Sequence, residues 1–189
     1  LYNSSAVSAD EPGDLRACNP CGEAPLHPAD SCNLGHVNLA SFGTDLVGAV
    51  DAIELMARLL LRATFSPIED PRQRQVVDAN RRIGVGLFGV QAWAAAHGLR
   101  WSEIHTSTAM AAKLEVLADS ARTSADRYAD ELGVPRPIKT TTIAPTGTIA
   151  KLPGTTEGAH PIFARWFVRR IRFADTDPLL AEQVAKGYD

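Results

Sequence analysis

The sequence predicts an α/β fold in which parallel strands are joined through helices, and three observations point there. Short apolar or β-branched runs alternate with longer stretches of helical periodicity, glycine-rich turns lead from one into the other, and no internal repeat or low-complexity linker interrupts them. With 189 residues, 45% of them hydrophobic and 22% charged, the chain suits one globular domain with a sizeable core.

The elements follow in order. NLGHVNLASF (33–42) spaces Leu34, Val37, Leu39 and Phe42 too irregularly for a helix and reads as a buried strand. Thr44 and Asp45 can cap the next segment, where Val47, Val50, Ile53, Leu55, Leu59 and Leu60 recur at helical spacing until FSPIEDP stops it at Pro67. RRIGVGLFGVQAWAAAHGL (81–99) predicts a short strand entering a helix through Gly84, Gly86 and Gly89, with Gly98 as C-terminal cap. Ser102 opens the longest helix, with Ile104, Leu114, Leu117, Ala121, Ala125 and Tyr128 on one face and Gly133 at its end. KTTTIAPTGTIAKL (139–152) reads as a β-branched strand, a Pro-Thr-Gly turn and a new helix start. HPIFARWFVRRIRF (160–173) mixes aromatics with arginines and fits strand and helix equally.

A net charge of -3 argues against charge-driven nucleic-acid binding. No basic leader precedes an apolar run, and no apolar run approaches bilayer length, so no membrane partner is expected. The expected location is cytoplasmic, where thiols stay reduced unless catalytic or metal-bound. The start, LYNSSAVSAD, lacks Met and any helix or strand pattern, and the expectation is a piece of a longer chain.

All three cysteines fall between positions 18 and 32. Cys18, Cys21, His27 and Cys32 offer four zinc-type ligands in a short loop, which makes a small zinc-binding interaction module the alternative reading. Glu23 and Pro25 between them, and an α/β pattern that folds without metal, weigh against it. A thioredoxin-type Cys-x-x-Cys belongs at a helix N-terminus, and Pro20, Pro25 and Pro28 oppose a helix here. Gly84-x-Gly86-x-x-Gly89, with Glu103 further on, has the outline of a dinucleotide fingerprint, but no second strand ends in that acid, and close packing explains the glycines better. Thr146, Gly147 and Thr148 offer amides and hydroxyls suited to an anion, or to a plain helix cap. His27, His36, His97, His105 and His160 show no metal-binding spacing. Arg165, Arg169, Arg170 and Arg172 around Trp166 could meet anions or nucleobases, or snorkel to water from an amphipathic element.

Two of these motifs, in this order, resemble a known family. ACNPCGEAPLHPADSCNLGHVNLASF (17–42) resembles the active-site segment of the large, catalytic subunit of ribonucleotide reductases, where an Asn-x-Cys-x-Glu core precedes Ser-Cys-Asn-Leu-Gly. TTTIAPTGTIAKLPGTTEGAHPIFARWFVRRIRF (140–173) resembles that family's phosphate-binding turn and the segment after it, and NRRIGVGLFGVQAWAAAHGL (80–99) its linking region. The wording NPCGE and PTGTI is most similar to the adenosylcobalamin-dependent class.

The resemblance implies part of a ten-stranded α/β barrel, with a radical-cysteine segment at 14–42 and a phosphate-binding turn at 140–152. It implies reduction of a ribonucleoside di- or triphosphate to the 2′-deoxyribonucleotide, with adenosylcobalamin as cofactor, a thioredoxin-like dithiol as reductant and no bound metal ion among these residues. Cys21 would carry a thiyl radical, Glu23 would act as general base on the 3′-hydroxyl, and Asn19 would hydrogen-bond the ribose hydroxyls from the same side of an extended segment. Pro20 and Gly22 would bind the substrate with them, and Pro145, Thr146, Gly147, Thr148 and Ile149 would hold the phosphates. Cys32 would be one of two cysteines that end as a disulfide. Its partner would lie upstream, outside this chain, in the rest of the reductase. The resemblance allows a homodimer, and it implies that the isolated segment does not turn over. Cys18 stands where the family pattern usually has a small hydroxyl residue, and nothing in the pattern explains it.

Overall fold

The computed structural model describes residues 15–143, 146–168 and 170–188. Its centre is a parallel pair, β3 (Asn33–Asn38) and β4 (Ile83–Phe88), running in register from Asn33 opposite Ile83 to Asn38 opposite Phe88. Ahead of it lies a small antiparallel hairpin, β1 (Ala17–Cys18) and β2 (Pro25–Leu26). The crossover from β3 to β4 runs through α1 (Leu46–Ala63) and α2 (Pro71–Asn80). After β4 come α3 (Val90–Ala96), the short α4 (Trp101–Ile104), α5 (Thr108–Leu132) and, near the end, α6 (Pro178–Ala185).

Strand alternation decides what each face meets. On β3, a Cβ at Gly35 would run into Met56 and Leu60, and Asn33 Nδ2 donates to the Leu60 carbonyl at 3.4 Å, so this face lies under α1. The opposite face carries Leu34, His36 and Asn38. On β4, Ile83 and Val85 are buried, while Gly84 turns towards Leu34, Thr142 and Cys32. Val37, Leu39, Ile53, Leu60, Ile83, Trp93, Met110 and Leu117 form the centre of the core, with α5 packed along α1.

Several elements differ from the sequence reading. The first strand stops at Asn38, and Leu39–Phe42 turn into a 3-10 helix that buries Leu39 completely. Helix α1 starts as expected, with the Asp45 carboxylate accepting from the Gly48 amide at 3.0 Å. Its buried face, however, is Ala49, Ile53, Ala57, Leu60 and Leu61, while Val47, Leu55 and Leu59 point outward, at 73%, 69% and 60% exposure. Alanines at 49 and 57 share one core with Ala121 and Ala125 of α5, and small side chains allow helices to approach closely where large ones would hold them apart. Helix α2 was not expected, because it is polar nearly all round and buries only Val77. Asp70 and Pro71 start it, and Arg81 ends it in a left-handed conformation, with its guanidinium over Phe65 and bonded to Thr64 and Asp78.

The single helix expected from Ser102 is two. Glu103 caps α4 by accepting from the Arg100 amide at 2.7 Å, and Ser107 starts α5 by accepting from the Met110 amide at 3.2 Å. Gly133 ends α5 at φ +66, as expected. The β-branched run at 139–143 is not a full strand. It touches the free edge of β4 at one parallel bridge, Thr141 with Val85, supported by the Ile83, Val85 and Thr142 amides. The expected helix after the Pro-Thr-Gly turn is a single 3-10 turn, Ile149–Lys151. The described residues of 160–173 form neither helix nor strand, and α6 lies in a segment for which the sequence suggested no element.

Candidate active site

The β1–β2 hairpin makes a tight connection that carries Asn19 to Ala24. Its start and end are joined by the Asn19 amide donating to the Ala24 carbonyl at 3.1 Å, and the Gly22 amide closes an inner turn on the Asn19 carbonyl at 3.0 Å. Gly22 sits at φ +83, a conformation that disfavours any side chain. The expectation of an extended segment is therefore corrected. The turn, not strand alternation, brings Asn19 to Glu23. Asn19 Oδ1 accepts from the Ala24 amide at 3.0 Å, which orients the amide so that Nδ2 donates to Glu23 Oε1. Glu23 Oε2 is buried without a hydrogen-bond partner. Pro20, Cys21 and Gly22 stand exposed at the tip.

Thr142 Oγ1 ties the turn to the segment beside β4 by donating to the Glu23 carbonyl at 3.1 Å. Beneath it, Glu23, Cys32, Arg82, Lys139, Thr141 and Thr142 line an enclosed space of about 20 Å³, room for roughly one water molecule. A larger, more open cavity of about 400 Å³ continues from Glu23 and Lys139 along Val85, Leu87 and Leu117. Cys32 is half-buried at the entry to β3. Burial pushes its thiol up to about 12; the Arg82 guanidinium pulls the other way, and the Asp30 and Glu23 carboxylates add to the rise. At neutral pH Cys32 is a neutral thiol that keeps its hydrogen.

Thr146, Gly147, Thr148 and Ile149 are placed as a turn, but their roles in it differ. Thr146 is buried, and its hydroxyl oxygen accepts from the Gly158 amide at 2.7 Å, so it holds the following loop together. Gly147, Thr148 and Ile149 are exposed. Pro145 lies outside the described residues.

Other sequence candidates resolve differently. Among the described residues no three His, Cys, Asp or Glu side chains are grouped to hold a metal ion, and Cys18, Cys21 and Cys32 are free thiols. Gly84 and Gly89 of the dinucleotide-like run stand where a side chain would collide with its neighbours. A Cβ at Gly84 would lie 2.7 Å from Leu34 Cδ2, and Glu103 is engaged in capping α4. Sequence reasoning missed Asp30, Arg82, Lys139 and Thr142. The one available signal was Asp30 two positions before a candidate redox cysteine.

Residues 2–138 match the model of the ribonucleotide reductase barrel domain. The chain belongs to that family. It is 45% identical over its whole length to a putative adenosylcobalamin-dependent ribonucleoside-triphosphate reductase of Mycobacterium phage D29, of which it covers 28%. To the adenosylcobalamin-dependent ribonucleoside-triphosphate reductase of Levilactobacillus brevis it is 35% identical, over 92% of this chain and 26% of that protein. The chain thus spans little more than a quarter of the length of these reductases. A crystal structure of a B-12 dependent, class II ribonucleotide reductase superposes with a TM-score of 0.77 at 33% identity, over 93% of this chain and 27% of that one. The alpha subunit of the Actinobacillus ureae class Id reductase shares the fold, with a TM-score of 0.64 at 18% identity. The α/β unit described above is accordingly part of a reductase barrel. Among the described residues no helix is long and apolar enough to cross a membrane.

Proposed function

We propose that this chain carries the radical and redox centre of an adenosylcobalamin-dependent reductase that converts ribonucleoside triphosphates to 2′-deoxyribonucleotides. The observation that carries the reading is the arrangement around Cys21. An exposed thiol is flanked by a carboxylate whose one oxygen is clasped by Asn19 while the other is left unpartnered, with a second, protonated thiol behind. The relatives' names favour triphosphate over diphosphate and supply the cofactor class.

The residues fit that cofactor in one respect that the structure shows: Cys21 lies at an open tip, between exposed Pro20 and Gly22, where a bulky group can reach its sulfur. When bound, adenosylcobalamin supplies the one-electron oxidation of a thiol. The chain's own side chains account for the remaining steps. Cys21 as thiyl takes the 3′ hydrogen of the ribose and later returns it, because S–H and activated C–H bonds are close in strength. Glu23 Oε2 accepts the 3′-hydroxyl proton as general base. Asn19 holds Glu23 Oε1 and keeps the second oxygen free for the substrate, while Gly147, Thr148 and Ile149 meet the phosphates from the exposed side of their turn, and Pro145 belongs to the same phosphate-binding motif. Thr146 shapes that turn.

Cys32 and a partner thiol outside this chain supply the reducing equivalents. The C2′–OH bond and two S–H bonds break, and C2′–H, the O–H of water and a disulfide form. An external dithiol of the thioredoxin type would restore the pair, in keeping with a reducing, cytoplasmic setting. Full-length protein supplied with adenosylcobalamin, a dithiol and a ribonucleoside triphosphate is expected to form 2′-deoxyribonucleotide. No product under these conditions would overturn the reading.

A further inference from the structure

Asp30 and Arg82 form an ion pair that water does not reach. Arg82 Nε donates to Asp30 Oδ2 at 2.9 Å, and the two side chains are 2% and 0% exposed, arginine first. Asn80 Nδ2 donates to the same oxygen at 2.9 Å, and the Ser31 amide donates to Oδ1 at 2.8 Å. The carboxylate is thus held from the end of α2, the start of β4 and its own loop. Removing two ions from water is unfavourable, and an apolar pair of similar volume often stabilises a fold as well or better. Stability alone is a weak reason for this pair.

Its neighbour supplies a better one. Cys32 follows Asp30 by two positions and shares the small enclosed space with Arg82. Alternation along β4 puts Arg82 on the same face as Gly84, whose Cβ position is 3.3 Å from Cys32 Sγ. Four charged groups lie near this thiol: Asp30 from its own loop, Glu23 from the hairpin turn, Arg82 from the position just before β4, and Lys139 from the segment beside β4.

We infer that Arg82, held in place by Asp30, is a positioning residue for Cys32: it lines the same small enclosed space as Cys32 and its buried charge eases release of the thiol proton when the disulfide forms. The inference deepens the reading of Cys32 as a redox thiol and rests on it. Burial is the main obstacle to ionising this sulfur, and Arg82 is the largest charge working against that obstacle. In a poorly screened interior such a charge acts strongly over a short distance.

The two partners have opposite signs, and that makes the test decisive. In full-length protein, alkylation of Cys32 by iodoacetamide is followed at a fixed alkaline pH and localised by peptide fragmentation in a mass spectrometer. Arg82→Gln should slow the reaction about tenfold and Asp30→Asn should speed it about tenfold, one pH unit of charge interaction in each direction. Arg82→Lys, which keeps the charge, should stay within about threefold of the unsubstituted protein on the same scale. A pair with only a structural role would loosen the loop in both variants and speed alkylation in both, and that result, or no change in either, overturns the inference. If a single variant fails to fold, the charge-neutral double variant Asp30→Asn/Arg82→Gln decides. A rate at or below that of the unsubstituted protein supports the inference, and a faster one overturns it. Absence of deoxynucleotide formation by the unsubstituted protein would overturn the proposed function while leaving these rates standing.

Discussion

Cys21 sits exposed on a turn built from local hydrogen bonds, whereas Cys32 lies half-buried against β4, among groups contributed by distant parts of the chain. The turn fixes its chemistry through close neighbours, with Asn19 on Glu23 and Gly22 on Asn19. The sheet region fixes its chemistry through packing, with Gly84 making room and Arg82 and Asp30 setting the charge. Under the proposed function, Cys21 has to meet a large cofactor and so needs to be reachable. Cys32, as the proposed store of reducing equivalents, needs to keep its hydrogen until it is oxidised, which burial favours.

The sharpest way to separate the two regions is to remove each function alone. Cys21→Ser in the full-length protein should abolish turnover while equilibrium nucleotide binding stays intact; measurable product from this variant would remove Cys21 from the radical role. Next in size, Glu23→Gln should lower turnover about 10²–10⁴-fold, the usual contribution of a positioned general base, again with nucleotide affinity retained. A loss of affinity with unchanged turnover would instead make Glu23 a binding group.

Gly84→Ala addresses the buried side. Its Cβ would lie 2.7 Å from Leu34 Cδ2 and 2.9 Å from Thr142 Cγ2, so overpacking should cost about 1–3 kcal/mol in urea unfolding. An unchanged midpoint would show that Leu34 and Thr142 give way freely. The smallest expected effect is pH-dependent. The folded state raises the Cys32 thiol from the ordinary 9.0 to about 12, so above pH 9 the unfolded chain releases a proton that the native state keeps. Stability from this group is therefore whole below pH 9 and is lost as pH rises towards 12. Cys32→Ser should flatten that part of the stability profile, and an unchanged slope would assign the loss to other groups.

Much of this architecture was legible from the sequence, and what escaped did so for physical reasons. Asp45, Gly98 and Gly133 announced helix boundaries because capping is local chemistry. The strand-to-helix passage at 83–96 was equally plain. Helix α2 escaped because a helix with only Val77 buried leaves no apolar stripe to read. The start of α5 shifted because Ser102 and Ser107 both suit a cap, and only Ser107 receives the next helix's amide. The run at 139–143 has strand composition, but it meets the edge of β4 through one bridge, Thr141 with Val85, and a few amide bonds from Ile83 and Val85, too short a pairing to extend into a full strand. At the site, Cys21, Glu23, Asn19 and Cys32 were visible as a motif. The Asn19–Glu23 clasp escaped the expectation of an extended segment because a turn around Gly22 leaves only a glycine as its trace. Arg82, Lys139 and Thr142 were invisible, since nothing in their local sequence says which cysteine they approach.

The hydrogen bond from Thr142 to Glu23 joins groups 119 residues apart, while the Asp30–Arg82 pair spans only 52. A ribosome adding roughly 5–20 residues per second makes the first of these links available on the order of ten seconds after Glu23 is synthesised. Until then the turn lacks this hydrogen bond to the segment beside β4. The nascent chain can therefore form the Asp30–Arg82 pair well before it can fasten this turn to the segment beside β4, and the order of synthesis leaves the turn that carries Cys21 to be completed last.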